Sequence, residues 1–371
     1  MTERIGQYRI IGWDQLPSDD PQMLVLDTNV AIDIEAFYFG DTERKFDRDA
    51  LRELLVTFAF SQVESEMADI NYRWAACETA WARDGSFRDT KVRSLRRAVD
   101  VVIHWEPEKV EKWFRASQPP WMRDKKWPTI PLPDPKRERL PDPHLFSSYA
   151  AILYLTNTFL SETEWSSRDV RVAVESYLDW MKNHLGVRGA YEFAAAISLF
   201  TGTPAEVGAA RKLMKLKELR RLANREQLSP DKLADYAWNA AWDITFVRTV
   251  DRMQLGAEPG FAAQRACLVT RNDDPWALRQ KTRVYAAIDM GNGNVFPWLG
   301  SVWDSDWADV SKFWTREEFT EMISMSPNEE MARNSRDQTE LLAQMLRALV
   351  NLETRLGVTH SAAQAYGPRL R

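Results

Sequence analysis

The sharpest change of pattern along the chain falls at Met23-Leu24-Val25-Leu26-Asp27-Thr28-Asn29, where four consecutive apolar residues run into an aspartate and a Thr-Asn pair. A short unbroken apolar run closed by turn residues reads as a strand buried on both faces. Apolar positions then resume at helical spacing through Ile34 and Phe37, so a helix from about Val30 to Tyr38 follows. Before the strand, residues 1–22 read as an irregular entry with an apolar piece from Tyr8 to Trp13. After Gly40-Asp41-Thr42, a helix is expected over Asp47–Leu55, with Leu51, Leu54 and Leu55 on one face. Val56-Thr57-Phe58-Ala59-Phe60 is rich in β-branched and aromatic residues and reads as a second buried strand. Ser61 would cap a new helix carrying Val63, Met67, Ile70, Trp74, Cys77 and Trp81.

Helical spacing continues over Asp89–Ala116 and then stops. Eight of the chain's 18 prolines fall between Pro119 and Pro143, a density that excludes regular helix or sheet. Beyond it the pattern predicts helices over 146–160, Asp169–Leu185, Ala190–Phe200, Pro204–Glu226 and, from the start signal Ser229-Pro230-Asp231, to about Met253. Ala266–Thr270 reads as a third buried strand and Val284–Ile288 as a fourth, followed by a turn at Gly291–Asn294. Asp337–Leu356 repeats apolar residues in one stripe, suited to a partner helix or to docking on the body. The last fifteen residues read as frayed.

Composition changes this picture little. The 371 residues are 44% hydrophobic and 28% charged, enough for one large core or two modest ones. Met1–Asp20 has no signal-peptide core and no apolar run is long enough to span a bilayer, so a cytoplasmic setting without membrane contact is expected. Cys77 and Cys267 lie in apolar surroundings as buried thiols, and the four histidines form no zinc pattern. The net charge of −5 excludes a coat of positive charge but not a local basic stripe. Most of the 16 tryptophans, including the Trp298–Trp314 group, are expected in the core or at interfaces.

Strands alternating with helices predict a parallel α/β sheet, whose strand ends gather on one edge and form the ligand crevice there. Asp27 stands at such an end. Its ordinary alternative is a helix cap. Glu64 and Glu66 follow the expected strand at Val56–Phe60, two apart and so facing different directions. Asp243 interrupts the apolar stretch Ala240-Ala241-Trp242-Asp243-Ile244, where a buried charge costs several kcal/mol unless paired or metal-bound. Asp235, Asn239 and Asp243 are spaced by four on one helix stripe. Asn272, Asp273 and Asp274 follow the third strand.

This ordered set resembles the PIN-domain nuclease family. Asp27-Thr28-Asn29 matches the family's first motif; Val63-Glu64-Ser65-Glu66-Met67 matches its second, which favours Glu66; Asp243 matches its third acid; and Leu268 to Asp274 matches its closing strand. The resemblance covers about 23–80 and 231–325. It implies a PIN-like α/β domain split into 1–116 and 230–325, a Pro-rich and helical insertion over 117–229, and a C-terminal helix and tail over 326–371. It departs from the family in its length and in Asn272, which stands where many relatives have Asp.

The resemblance further implies Asp27, Glu66, Asp243 and Asp273 as catalytic acids, with Asp274 as a further metal ligand and Thr28, Asn29, Asn239 and Asn272 supporting them. Clustered carboxylates repel, and oxygen-only ligands suit Mg²⁺ or Mn²⁺, which activates water and stabilises the leaving oxygen of a phosphodiester. The expectation is a metal-dependent nuclease with RNA as its substrate. A non-catalytic PIN-like scaffold and a structure-selective DNA nuclease are the alternatives. Lys217, Arg221 and Arg225, four apart in the most basic stretch, are the expected grip on a phosphate backbone, against the plainer reading of a solvated helix face. The 337–356 stripe is the expected contact with a second copy or a protein partner.

Overall fold

The Met23–Leu26 run forms the central strand of the sheet. A computed structural model of the chain describes residues 2–12, 22–65, 68–122, 140–162, 164–186, 189–254, 256, 258, 265–272, 282–289, 295–301, 310–323 and 337–370. Strands β1 (Thr2–Ile5), β2 (Tyr8–Ile11), β3 (Gln22–Leu26), β4 (Ala68–Asn71) and β5 (Arg265–Thr270) make one five-stranded sheet in the order β1-β2-β5-β3-β4. β3 runs parallel to β4 and β5, whereas β2 is antiparallel to β5 and β1 antiparallel to β2. The fold is therefore α/β with a mixed sheet, not a purely parallel one. Met23, Leu24, Val25 and Leu26 are all buried, as a strand covered on both faces requires.

Helices α1 (Thr28–Phe39), α2 (Arg48–Ser65), α3 (Arg73–Ala80), α4 (Asp89–Val102) and α5 (Pro107–Arg115) follow β3, with β4 between α2 and α3. A helical block comes next: α6 (Pro143–Ser161), α7 (Ser167–Trp180), α8 (Ala190–Thr201), α9 (Pro204–Leu213) and α10 (Leu216–Ala223). The long α11 (Pro230–Gln254) leads back to β5. Local chemistry sets these starts. Asp142, Ser166 and Thr203 cap α6, α7 and α9 with side-chain oxygens, the last two in reciprocal boxes with Asp169 and Glu206. β6 (Thr282–Asp289) pairs only with β7 (Val295–Ser301) among the described residues, so the fourth strand read near Val284 belongs to a separate antiparallel pair. One contiguous hydrophobic core takes residues from the sheet, the helical block and the C-terminal helices alike.

Four expectations are corrected. Residues 1–22 contain the β1–β2 hairpin, whose positive-φ Gly6 sits in the turn. Val56–Phe60 is helix, not strand, because Leu51, Leu54, Leu55, Phe58 and Ala59 bury one continuous helical stripe that outweighs local β preference. The helix read from Ser61 to Trp81 is cut in two by β4, the strand that takes the place expected of Val56–Phe60. Pro204–Glu226 is two helices, broken where Lys215 adopts a left-handed conformation with φ 52°. The Pro-rich tract from 123 to 139 and the turn at Gly291–Asn294 lie outside the described residues, as do Trp303 and Trp307. Among the described residues no helix is long and apolar enough to cross a membrane.

The C-terminus is not frayed. The Gln338–Leu356 helix turns its apolar stripe onto the body, burying Met345, Leu349 and Leu352. The Ala362–Leu370 helix then seats Tyr366, fully buried, against Trp238 (ring centroids 5.9 Å, stacked), Phe146 (5.3 Å) and Trp81 (6.2 Å). Its hydroxyl donates to the Ala82 carbonyl at 2.5 Å. Replacing a buried aromatic residue with alanine removes its transfer energy and leaves a cavity. Tyr366→Ala is accordingly expected to lower unfolding free energy by about 3–5 kcal/mol, read by urea denaturation, whereas a frayed end would show no change.

Candidate active site

The parallel register brings the acids' supports together. Leu26 lies level with Val269, and the Asp27 N–H donates to the Val269 carbonyl at 2.9 Å, so Asp27 ends β3 beside Thr270 at the end of β5. The Thr270 hydroxyl donates to Asp27 Oδ2 at 2.6 Å. Asp27 is also the cap of α1: Oδ1 accepts the Asn29 N–H at 3.3 Å, and its carbonyl accepts from Val30 and Ala31 at 3.0 and 3.1 Å. Cap and strand-end carboxylate, the two readings of the sequence, are one residue. It is only 3% exposed. Burial pushes its carboxyl above the ordinary value, against the hydrogen bonds from Thr270 and Asn29.

The second acid of this edge is Glu78 on α3, which sequence reasoning missed. Its Oε2 accepts a short hydrogen bond from the Thr28 hydroxyl. Burial first, and the neighbouring Asp27 charge as well, push the Glu78 carboxyl up to about 8, while Thr28 and Arg88 act in the other direction. Among the described residues neither Asp27 nor Glu78 is within ion-pair distance of a cationic side chain. The signal for Glu78 was present: it is the one charged residue in Trp74-Ala75-Ala76-Cys77-Glu78-Thr79-Ala80, the same feature that singled out Asp243.

Asp243 reaches the edge through Asn272. The Asn272 amide donates to Asp243 Oδ1 at 3.3 Å, and its backbone N–H donates to the Thr270 hydroxyl at 2.9 Å. A continuous chain of hydrogen bonds thus runs from Asp243 through Asn272 and Thr270 to Asp27. Glu78 is joined from the other side through Thr28, the next residue in the chain. Asn239 is exposed on α11, and Asp235 is held away from the edge by Arg83 at 2.7 Å. Glu66, Asp273 and Asp274 lie outside the described residues, and so does the side chain of Glu64. Lys217 and Arg221 are exposed on α10, while Arg225 lies past the helix end in the following turn and does not extend its face. No hydrogen bond or ion pair among the described residues joins these three to the strand-edge acids. Among the described residues, no three His, Cys, Asp or Glu side chains stand close enough to hold a metal ion together.

Comparison of the chain with protein-family models, with curated proteins and with solved structures finds no match.

The raised Glu78 pKa has a measurable sign. Between the unfolded value near 4.5 and the folded value of about 8, the native state holds a proton that the unfolded chain releases. The contribution is therefore full below about pH 4.5 and is lost as pH rises to about 8, at up to ~1.4 kcal/mol per pH unit. Glu78→Gln is expected to melt above wild type at pH 8 and to approach it near pH 5. Parallel melting curves across that range would mean that Glu78 ionises as an ordinary glutamate.

Proposed function

We propose that the chain is a metal-dependent nuclease of PIN-like architecture that hydrolyses phosphodiester bonds, with RNA as its substrate. The observation that carries this reading is the pair Asp27 and Glu78 at the carboxyl edge of the central parallel strand. Both carboxyls are raised by burial, and their direct side-chain partners are hydroxyl and amide groups rather than a cation. Elsewhere the fold sets arginine against two other acids withdrawn from solvent, Glu192 with Arg248 at 2.5 Å and Asp142 with Arg252 at 2.9 Å. Acids left without such a partner, at the ligand-binding edge of an α/β sheet, are candidates for function.

The donor set is carboxylate, hydroxyl and amide oxygen, without cysteine or histidine, and that fits Mg²⁺ or Mn²⁺ rather than a soft metal. Asp27 and Glu78 would hold the ion, and Asp243, joined to Asp27 only through Asn272 and Thr270, would support that pair rather than complete a three-acid group. When bound, such an ion supplies charge for the attacking and leaving oxygens of a phosphodiester. The chain's own groups set the stage for that chemistry. Thr270 and the Asn29 N–H fix the Asp27 carboxylate; Thr28 fixes Glu78; Asn272 orients Asp243 and ties it to Thr270. With its pKa near 8, Glu78 also holds a proton at neutral pH that cation binding would displace.

A non-catalytic binding module is the competing reading, favoured by the absence of a three-acid group among the described residues. The two separate in one assay. Purified protein is expected to cleave single-stranded RNA with Mn²⁺ or Mg²⁺ and to lose activity in EDTA. Asp27→Asn and Asp243→Asn should each slow cleavage on the order of 10²-fold or more while melting as cooperatively as wild type. Wild-type protein inert on RNA and DNA with both metals would leave the binding module as the better account.

A further inference from the structure

Less than two turns along α1 from Asp27, a second aspartate organises a different charge. Asp33 is fully buried. Its Oδ1 accepts from Arg44 Nε at 2.9 Å and from Arg271 Nη1 at 2.9 Å; its Oδ2 accepts from Arg271 Nη1 at 3.0 Å and from the Tyr8 hydroxyl at 3.0 Å. One carboxylate thus meets two guanidiniums, which leaves one unit of positive charge over. Each guanidinium carries five N–H donors in a fixed plane. Arg271 commits a single nitrogen to Asp33, and its other N–H groups have no partner among the described residues. Arg44 commits Nε to Asp33 and one further nitrogen to a 3.5 Å contact with Asn29 Oδ1. Both side chains stay partly open, at 30% for Arg44 and 25% for Arg271.

The position of this surplus charge is what gives it meaning. Arg271 lies between Thr270, which donates to Asp27, and Asn272, which donates to Asp243. Arg44 touches Asn29, whose N–H faces Asp27. The two guanidiniums therefore border the candidate site from the loop after α1 and from the end of β5. Any phosphate that approaches this edge meets like charge on whichever of its acids are ionised, and a preformed pair of planar cations beside them offsets it. Arginine is the side chain whose fork matches two phosphate oxygens.

We propose that Arg44 and Arg271, held on Asp33, form a clamp for a backbone phosphate of the nucleic-acid strand beside the one to be cut. The ligand class rests on the nuclease reading. Asp33 is a positioning residue in this scheme: it fixes both cations and touches no substrate. The Tyr8 hydroxyl adds a second donor to Oδ2, beside Arg271, and so helps fix the carboxylate's orientation.

The test is binding without cleavage. A short fluorescein-labelled single-stranded RNA is titrated with the protein in EDTA, by anisotropy, over a series of salt concentrations. Arg44→Gln and Arg271→Gln are each expected to weaken binding about tenfold. The slope of log K against log salt should become shallower by about 0.7 for each phosphate that is no longer neutralised. Arg271→Lys keeps the charge without the fork, so it should restore the slope but only part of the affinity. Variants that melt like wild type and bind with unchanged affinity and slope would overturn the clamp and leave the Asp33 network as scaffolding. A wild type that binds no RNA would overturn it as well. If Arg271→Gln does not fold, Arg44→Gln, which lies in the loop between α1 and α2, decides alone. Failure of the nuclease reading remains distinct. RNA binding that depends on Arg44 and Arg271, in a protein that cuts nothing, would keep the clamp and remove the catalysis. Cleavage with an unchanged KM in both variants would do the reverse.

Discussion

The structure turns on a carboxylate buried at the end of its central strand. Asp27 closes β3, starts α1 and accepts the Thr270 hydroxyl of β5, so strand, helix and neighbouring strand share one side chain. Burying a carboxylate among neutral donors is costly, because each hydrogen bond replaces hydration only in part. A simple cap does not need that cost: the caps at Ser166 and Thr203 sit in more open positions and do the same work for their helices. The second acid makes the arrangement less stable still. The Asp27 charge raises Glu78 further, and the fold places no arginine within ion-pair distance of either among its described residues, although it does so for Glu192, Asp142 and Asp33.

Much of this was legible in the sequence. The apolar run into Asp27 placed the central strand, the stretch from Ala266 to Thr270 placed its parallel neighbour, and the lone acid in an apolar helix placed Asp243 near the edge. What failed was local preference set against tertiary burial. Val56–Phe60 has the composition of a strand, but its apolar residues complete a helical stripe begun at Leu51. The strand expected there lies further on, at β4, and Glu78, on the helix that follows β4, went unseen. Composition could not have found β4 itself: Ala68-Asp69-Ile70-Asn71 is short and polar, and its pairing with β3 is a long-range fact. The tail was misread for a related reason. Tyr366 is one aromatic residue in a short, weakly patterned segment, and only its partners Trp81, Phe146 and Trp238, distant in sequence, make it a core residue.

The acids of the fold divide by the chemistry of their partners. Glu353 is buried, yet it is met by Tyr149, Ser361 and the Ala362 N–H, enough donors to satisfy both oxygens. Glu192 and Asp142 are matched by guanidiniums. Asp27 is met by hydroxyl and amide donors that do not cancel its burial, and Glu78 by the Thr28 hydroxyl. These two occur together at the one edge where an α/β sheet opens. Burial alone therefore does not mark the candidate site; burial with deficient compensation does, and that criterion selects the same edge that the sheet topology selects.

Asp33 completes the electrostatic logic from the opposite direction. Where Asp27 and Glu78 have too little positive charge, Asp33 has too much: two guanidiniums converge on one carboxylate of the same helix. Excess on one side of Asn29 and Asn272 and deficit on the other produce a gradient of potential across the rim of the site, anchored by the backbone of α1 and β5. On the proposed reading, a phosphodiester, which carries its charge along a repeating backbone, would satisfy both sides at once, one phosphate against the cations and the next against the acids once they hold a cation. A neutral ligand or a lone anion can satisfy only one.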